Sequence, residues 1–100
     1  MANNFKILVH RDGGSLHLRL RGDLDGSSAH ELLNVLKSKR GGASRIFIHT
    51  SCLNQVHPFG QNVLQNNLDL FKGQSLCLIF TGKKASQLAP VDHRFIKIAS

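Results

Sequence analysis

The stretch from Ser15 to Thr50 constrains the fold more than any other part of the chain. In "SLHLRLRG", Leu16, Leu18 and Leu20 alternate with His17, Arg19 and Arg21, the two-residue period of a strand with one apolar and one cationic face. "DGSSAHELLNVLKSKRGG" then reads as a helix with both ends marked. Ser28 and Glu31 fit an S-x-x-E capping box, and Ala29, Leu32, Leu33 and Leu36 recur at helical spacing. Lys37, Lys39 and Arg40 suit the negative end of the helix dipole, and Gly41-Gly42 is the stop. "SRIFIHT" follows as a second strand. A strand, a helix and a strand in so short a span imply a crossover between parallel strands.

The remaining segments extend this unit. "FKILVHR" precedes the first strand across Asp12-Gly13-Gly14, a turn signal that predicts a hairpin. "PFGQNVLQNNLDLFKG" predicts a second helix from Pro58 to Lys72, stopped at Gly73. "QSLCLIF" is a nearly continuous apolar run, as in an interior strand. "GKKASQLAP" allows a short helix ended by Pro90, and "RFIKIA" fits a last strand. The expected order is β-β-α-β-α-β-(α)-β: an α/β fold, its mixed sheet carrying an antiparallel N-terminal edge hairpin and helices mainly on one face.

One hundred residues without repeat, linker or low-complexity tract imply one domain over residues 1–100. Apolar residues at 41% with no Trp or Tyr describe an aliphatic interior. The net charge of +7 favours anionic partners without choosing among nucleic acid, a membrane surface and an acidic protein face. No apolar run approaches the roughly 20 residues that span a bilayer, and the N-terminus lacks a secretory pattern, so a cytoplasmic location is expected. Cys52 and Cys77 lie far apart without a C-x-x-C pattern and read as free thiols.

Set in that order of elements, "LRLRGDLDGSSAHELLNVL" and "RIFIHTSCLNQVHPFGQNVL" resemble the STAS domain, shared by anti-sigma factor antagonists and the cytoplasmic tails of sulfate transporters. The resemblance covers about residues 5 to 90. Gly22-Asp23-Leu24-Asp25 matches the family's G-x-L-D, and Ser27 or Ser28 its hydroxyl position. Thr50-Ser51 roughly matches the family's strand end, with His49 where Asp is usual. The family's D-S-S-G-L is mostly replaced: His57 stands at the Asp, Pro58 and Phe59 at the two Ser, and Gln61 at the Leu, while Gly60 is kept.

The resemblance implies a non-enzymatic bacterial regulator or accessory subunit that binds a protein partner, such as an anti-sigma-type kinase. In the family, the Ser before the Gly accepts phosphate, and the added charge of roughly −1.5 to −2 breaks the complex. Phe59 has no hydroxyl, so that switch cannot operate at residue 59. Ser27, Ser28 and Ser51 stand as substitute acceptors. Partner contact is expected from Asp23, Asp25, His57, Pro58, Phe59 and Asn62. Asp23 and Asp25 have a second reading, as the favourable acidic start of a helix. Phe59 has one too, as a ring turned inward to pack.

Other chemistries find less support. His10, His17, His30, His49, His57 and His93 show no metal-ligand spacing, so no metal site is read. Cys52 with His49 or His57 lacks an orienting third group and an oxyanion hole, so no catalytic residue is assigned. Glycine motifs for nucleotides are missing, and no cofactor is called for. The alternative is a binding domain for an anionic ligand or nucleic acid on a basic sheet face, with Lys6, Arg45 and Lys97 at the parity of His17, Arg19 and Arg21. Aromatics suited to base stacking are scarce, which weighs against nucleic acid.

Overall fold

The computed structural model describes residues 4–39, 44–68, 77–89 and 96–99. Its elements are β1 (Lys6–Asp12), β2 (Ser15–Leu24), α1 (Gly26–Lys39), β3 (Arg45–Val56), α2 (Pro58–Asn67), β4 (Cys77–Thr81), α3 (Ala85–Leu88) and β5 (Ile96–Ala99). Among the described residues the five strands form one sheet in the order β1-β2-β3-β4-β5. β1 and β2 pair antiparallel, and the other pairs are parallel. The mixed sheet with its edge hairpin is therefore the architecture expected from the alternation of elements. Asp12 pairs with Ser15 across Gly13-Gly14, and Gly13 takes a φ of 61°, which glycine reaches without steric cost.

The helices cover one face of the sheet. Leu16, Leu18 and Leu20 of β2, Ile46 and Ile48 of β3, and Leu78 and Phe80 of β4 are fully buried there. They meet Ala29, Leu32, Leu33 and Leu36 of α1, Leu64 of α2, and Ala85 and Leu88 of α3. The opposite face stays open, so β4 buries only alternate residues although its sequence is apolar on both sides. No described helix is long and apolar enough to cross a membrane. Cys52 is exposed, Cys77 is half-buried, and both are free thiols.

Two local expectations are corrected. α1 begins at Gly26, two residues before Ser28, so Ser28 is not its cap and no Ser28–Glu31 capping box forms. Asp25 caps instead: its Oδ1 accepts the Ser28 amide at 2.9 Å, and its carbonyl accepts Ala29 N–H at 2.9 Å. A carboxylate is as good a cap as a hydroxyl, and here it stands where the helical bonds begin. The strand expected over residues 44–50 also continues to Val56. Its pairing with β2 shifts between Arg19 and Arg21 and again between Gly22 and Asp23. Each bulge absorbs one extra residue of β3, which lets the irregular "SCLNQV" stay in the ladder. The helix ends read at Gly41-Gly42, Gly73 and Pro90 lie outside the described residues, as does the expected stretch of α2 from residue 69 to 72.

Candidate functional site

The beginnings of α1 and α2 lie against each other because β2 and β3 are neighbours and both lead into helices. Leu24 pairs with Val56, and the His57 amide donates to the Leu24 carbonyl at 2.9 Å. Gly60 is buried at this seam. A Cβ there would stand 2.6 Å from the Asp25 carbonyl oxygen and 2.8 Å from that of Leu24. The glycine that matches the resembled motif is thus required by backbone approach.

The two helix starts differ in how they are finished. At α1, the Ser28 hydroxyl lies 2.9 Å from Asp25 Oδ1 and 3.0 Å from the Asp23 carbonyl oxygen, two acceptors that share its single proton. The bonds from the Ser28 amide and hydroxyl hold the Asp25 carboxyl below its ordinary 3.8, and the nearby charge of His57 acts in the same direction. At α2, His57 is extended and makes no side-chain cap, Pro58 occupies the first turn, and that turn has no acidic residue. Phe59 is 69% exposed. Its ring lies over Gly26, where a Cβ would come within 2.6 Å of two ring carbons. The inward-packed reading of Phe59 is therefore corrected: the ring touches the α1 backbone at Gly26 but is mostly in solvent, because Gly26 offers it a surface and no cavity. Asn62, one turn further along α2, is also exposed.

The expected site residues are brought together unequally. Asp25, His57, Pro58, Phe59 and Asn62 cluster at the two starts, while the Asp25 side chain is engaged in the cap. Asp23 sits at the end of β2 with its amide 3.4 Å from Asn4 Oδ1. Among the substitute acceptors, Ser27 and Ser51 are exposed, whereas Ser28 is 1% exposed with its hydroxyl donated inward.

A second group stands on the open sheet face, where the basic stripe was expected and a histidine pair within it was not. Lys6, His17, Arg19, Arg21, Arg45 and Lys97 share the open face, as parity required. In their midst His17 Nδ1 lies 2.9 Å from His49 Nε2, and His49 Nδ1 lies 2.7 Å from Thr81 Oγ1. The two imidazole centroids are 5.2 Å apart with planes 4° from parallel. Such spacing with that short bond places the rings edge to edge in one plane. Phe47 lies parallel to His17 at 4.6 Å, an offset stack. Burial, then the charges of His17 and Arg19, push the His49 imidazole below its ordinary 6.5. The available signal was parity: residues 17, 47, 49 and 81 all point to the face opposite the buried leucines once β2, β3 and β4 are adjacent. Among the described residues no group of His, Cys, Asp and Glu is placed to hold a metal ion.

This topology, with two helix starts joined at the ends of parallel strands, defines a STAS-like α/β domain. In particular, the fold is similar to that of the anti-sigma factor antagonist SpoIIAA in its unphosphorylated form, at a TM-score of 0.61 and 13% identity over 80% of this chain and 74% of that one. It is also similar to an uncharacterized DUF3478-family protein with a SpoIIAA-like fold from Shewanella loihica PV-4, at a TM-score of 0.57 and 18% identity over 83% and 72%. Mglu matches at a TM-score of 0.65 and 16% identity over 73% of this chain, which spans only 18% of Mglu. No family model and no curated protein matches the sequence. At these identities the likeness establishes the fold.

Proposed function

We propose that the chain is a non-enzymatic protein-interaction module of the anti-sigma factor antagonist type, acting in the bacterial cytoplasm, that docks a regulatory protein such as an anti-sigma-type kinase. The docking surface is formed by Asp23, His57, Pro58, Phe59 and Asn62, with Asp25 holding α1 in place beneath it. The observation that carries this reading is Phe59, a large aromatic ring 69% exposed at a helix start fixed by Pro58. Aromatic side chains on rigid supports are the usual anchors of interfaces, because little entropy remains to be lost on binding. Phosphate on residue 59 cannot regulate the complex, so regulation passes to partner abundance or to the exposed hydroxyls of Ser27 and Ser51.

Photo-cross-linking tests the surface. A photoreactive residue at Asn62 is expected to capture a discrete protein partner in the native cell, and one at Arg21 on the open sheet face is not. Capture at Arg21 alone would overturn the assignment. Incubation with an anti-sigma-type kinase is expected to leave residues 57–64 free of phosphate in peptide maps. Phosphate on Ser27 or Ser51 would show a relocated switch.

A further inference from the structure

The open face of the sheet holds a groove of about 450 Å³ lined by Leu8, His10, Asp12, His17, Arg19 and His49, with Val9 at its edge. That volume suits a small molecule. The lining is two-sided in character. Leu8 is 46% exposed and offers apolar surface, while Arg19 offers a guanidinium with no acidic partner bonded to it among the described residues. The charged groups lining the groove are Asp12 on β1 and Arg19 on β2, beside the imidazoles of His10, His17 and His49. Lys6, Arg21, Arg45 and Lys97 lie on the same open face outside it, so the face as a whole sets five fixed positive charges against that one carboxylate. Electrostatic complementarity therefore selects an anion.

The His17–His49–Thr81 chain adds a second property. Facing nitrogens 2.9 Å apart hold one proton between them, and two would set donor against donor. The neutral pair carries two protons on four ring nitrogens. A third is accepted without breaking any bond: His17 Nδ1–H donates to His49 Nε2, His49 Nδ1–H donates to Thr81 Oγ1, and His17 Nε2–H becomes a cationic donor outside the chain. A fourth would split the pair. We propose that this groove binds a small organic anion, a carboxylate or phosphomonoester on an apolar body, with Arg19 and His17 Nε2 on the oxyanion and Leu8 against the body, and that binding takes up one proton from solvent.

Nuclear magnetic resonance titration of the full chain with benzoate, phenyl phosphate and inorganic phosphate tests this. Benzoate has the same charge at about pH 6 and about pH 8, so any pH dependence of its affinity belongs to the protein, whereas a phosphomonoester titrates near 6 itself. The expected result is shifts confined to Leu8, His10, His17, Arg19 and His49, with benzoate affinity falling by up to about tenfold per pH unit once the pair has lost its third proton. Comparing benzoate with phenyl phosphate separates the two oxyanions. Arg19→Gln should weaken both by about tenfold or more, as expected for a charge-assisted contact. His17→Gln should remove the pH dependence, and Lys97→Gln, on β5 two strands from the nearest lining residue, should leave the affinity within about twofold because solvent and salt screen so distant a charge. No confined shifts, or equal benzoate affinity at both pH values, would overturn the proposal. So would inorganic phosphate binding as tightly as phenyl phosphate, which would leave Leu8 without a role, or a single-stranded oligonucleotide binding far more tightly with steep salt dependence.

Discussion

The starts of α1 and α2 face each other across one seam, yet one is closed on itself and the other is left bare. At α1, Asp25, Ser28 and the Asp23 carbonyl satisfy one another. At α2, no side chain caps, and Phe59 lies outside over Gly26. The closed start contributes to stability. The bare one offers surface, which is where the proposed docking site lies.

The most damaging change to the seam is expected to be Gly60→Ala. The added methyl meets only backbone, at 2.6 Å from the Asp25 oxygen and 2.7 Å from its carbon, so one helix start must move. A loss of about 3 kcal/mol in chemical denaturation is expected. An unchanged midpoint would mean that the two starts are not in contact. Gly26→Ala points at Phe59 instead, a side chain able to swing away, and should cost less than about 1 kcal/mol.

Asp25→Ala comes next and should lower the thermal midpoint, while Asp25→Asn, also a good cap, should retain most of it at neutral pH. The acid side distinguishes these further. Because the folded carboxyl titrates below its ordinary 3.8, the folded state binds fewer protons there, and the cap's contribution is present above that value and lost as pH falls through the folded pKa. The Asn variant should lose this part of the acid-side decline. An identical acid limb in wild type and Asp25→Asn would reject the cap's ionic character.

His57→Ser is the smallest effect and has the opposite sign. It supplies a cap where none exists and should stabilise by about 0.5 kcal/mol. No gain would mean that the bare start is already satisfied by solvent.

The order of elements, the edge hairpin, the crossovers and the apolar faces were legible because period and turn chemistry are local. Leu16, Leu18 and Leu20 declared their face by alternation, and Gly13-Gly14 declared the hairpin. The bulges of β3 were hidden because "SCLNQV" carries no alternation and is held in place by β2. The capping residue was misplaced because Asp25 and Ser28 both belong to a plausible start, and only backbone geometry chooses between them. At the candidate site, the missing hydroxyl at residue 59 was read directly. The position of the ring over Gly26 was not, since it depends on the approach of two segments more than thirty residues apart. The pairing of His17 with His49 was hidden for the same reason: it exists only after β2 and β3 have found their register.

The most direct measurement is the affinity of Phe59→Ala for the protein captured by cross-linking at Asn62, taken together with the variant's denaturation midpoint. Truncating an exposed interface anchor costs about 2 kcal/mol or more of binding, so affinity should fall by at least about thirtyfold. Stability should change by less than about 1 kcal/mol, because most of the ring is already in water. A stably folded Phe59→Ala protein that binds this partner with unchanged affinity would contradict docking through the start of α2.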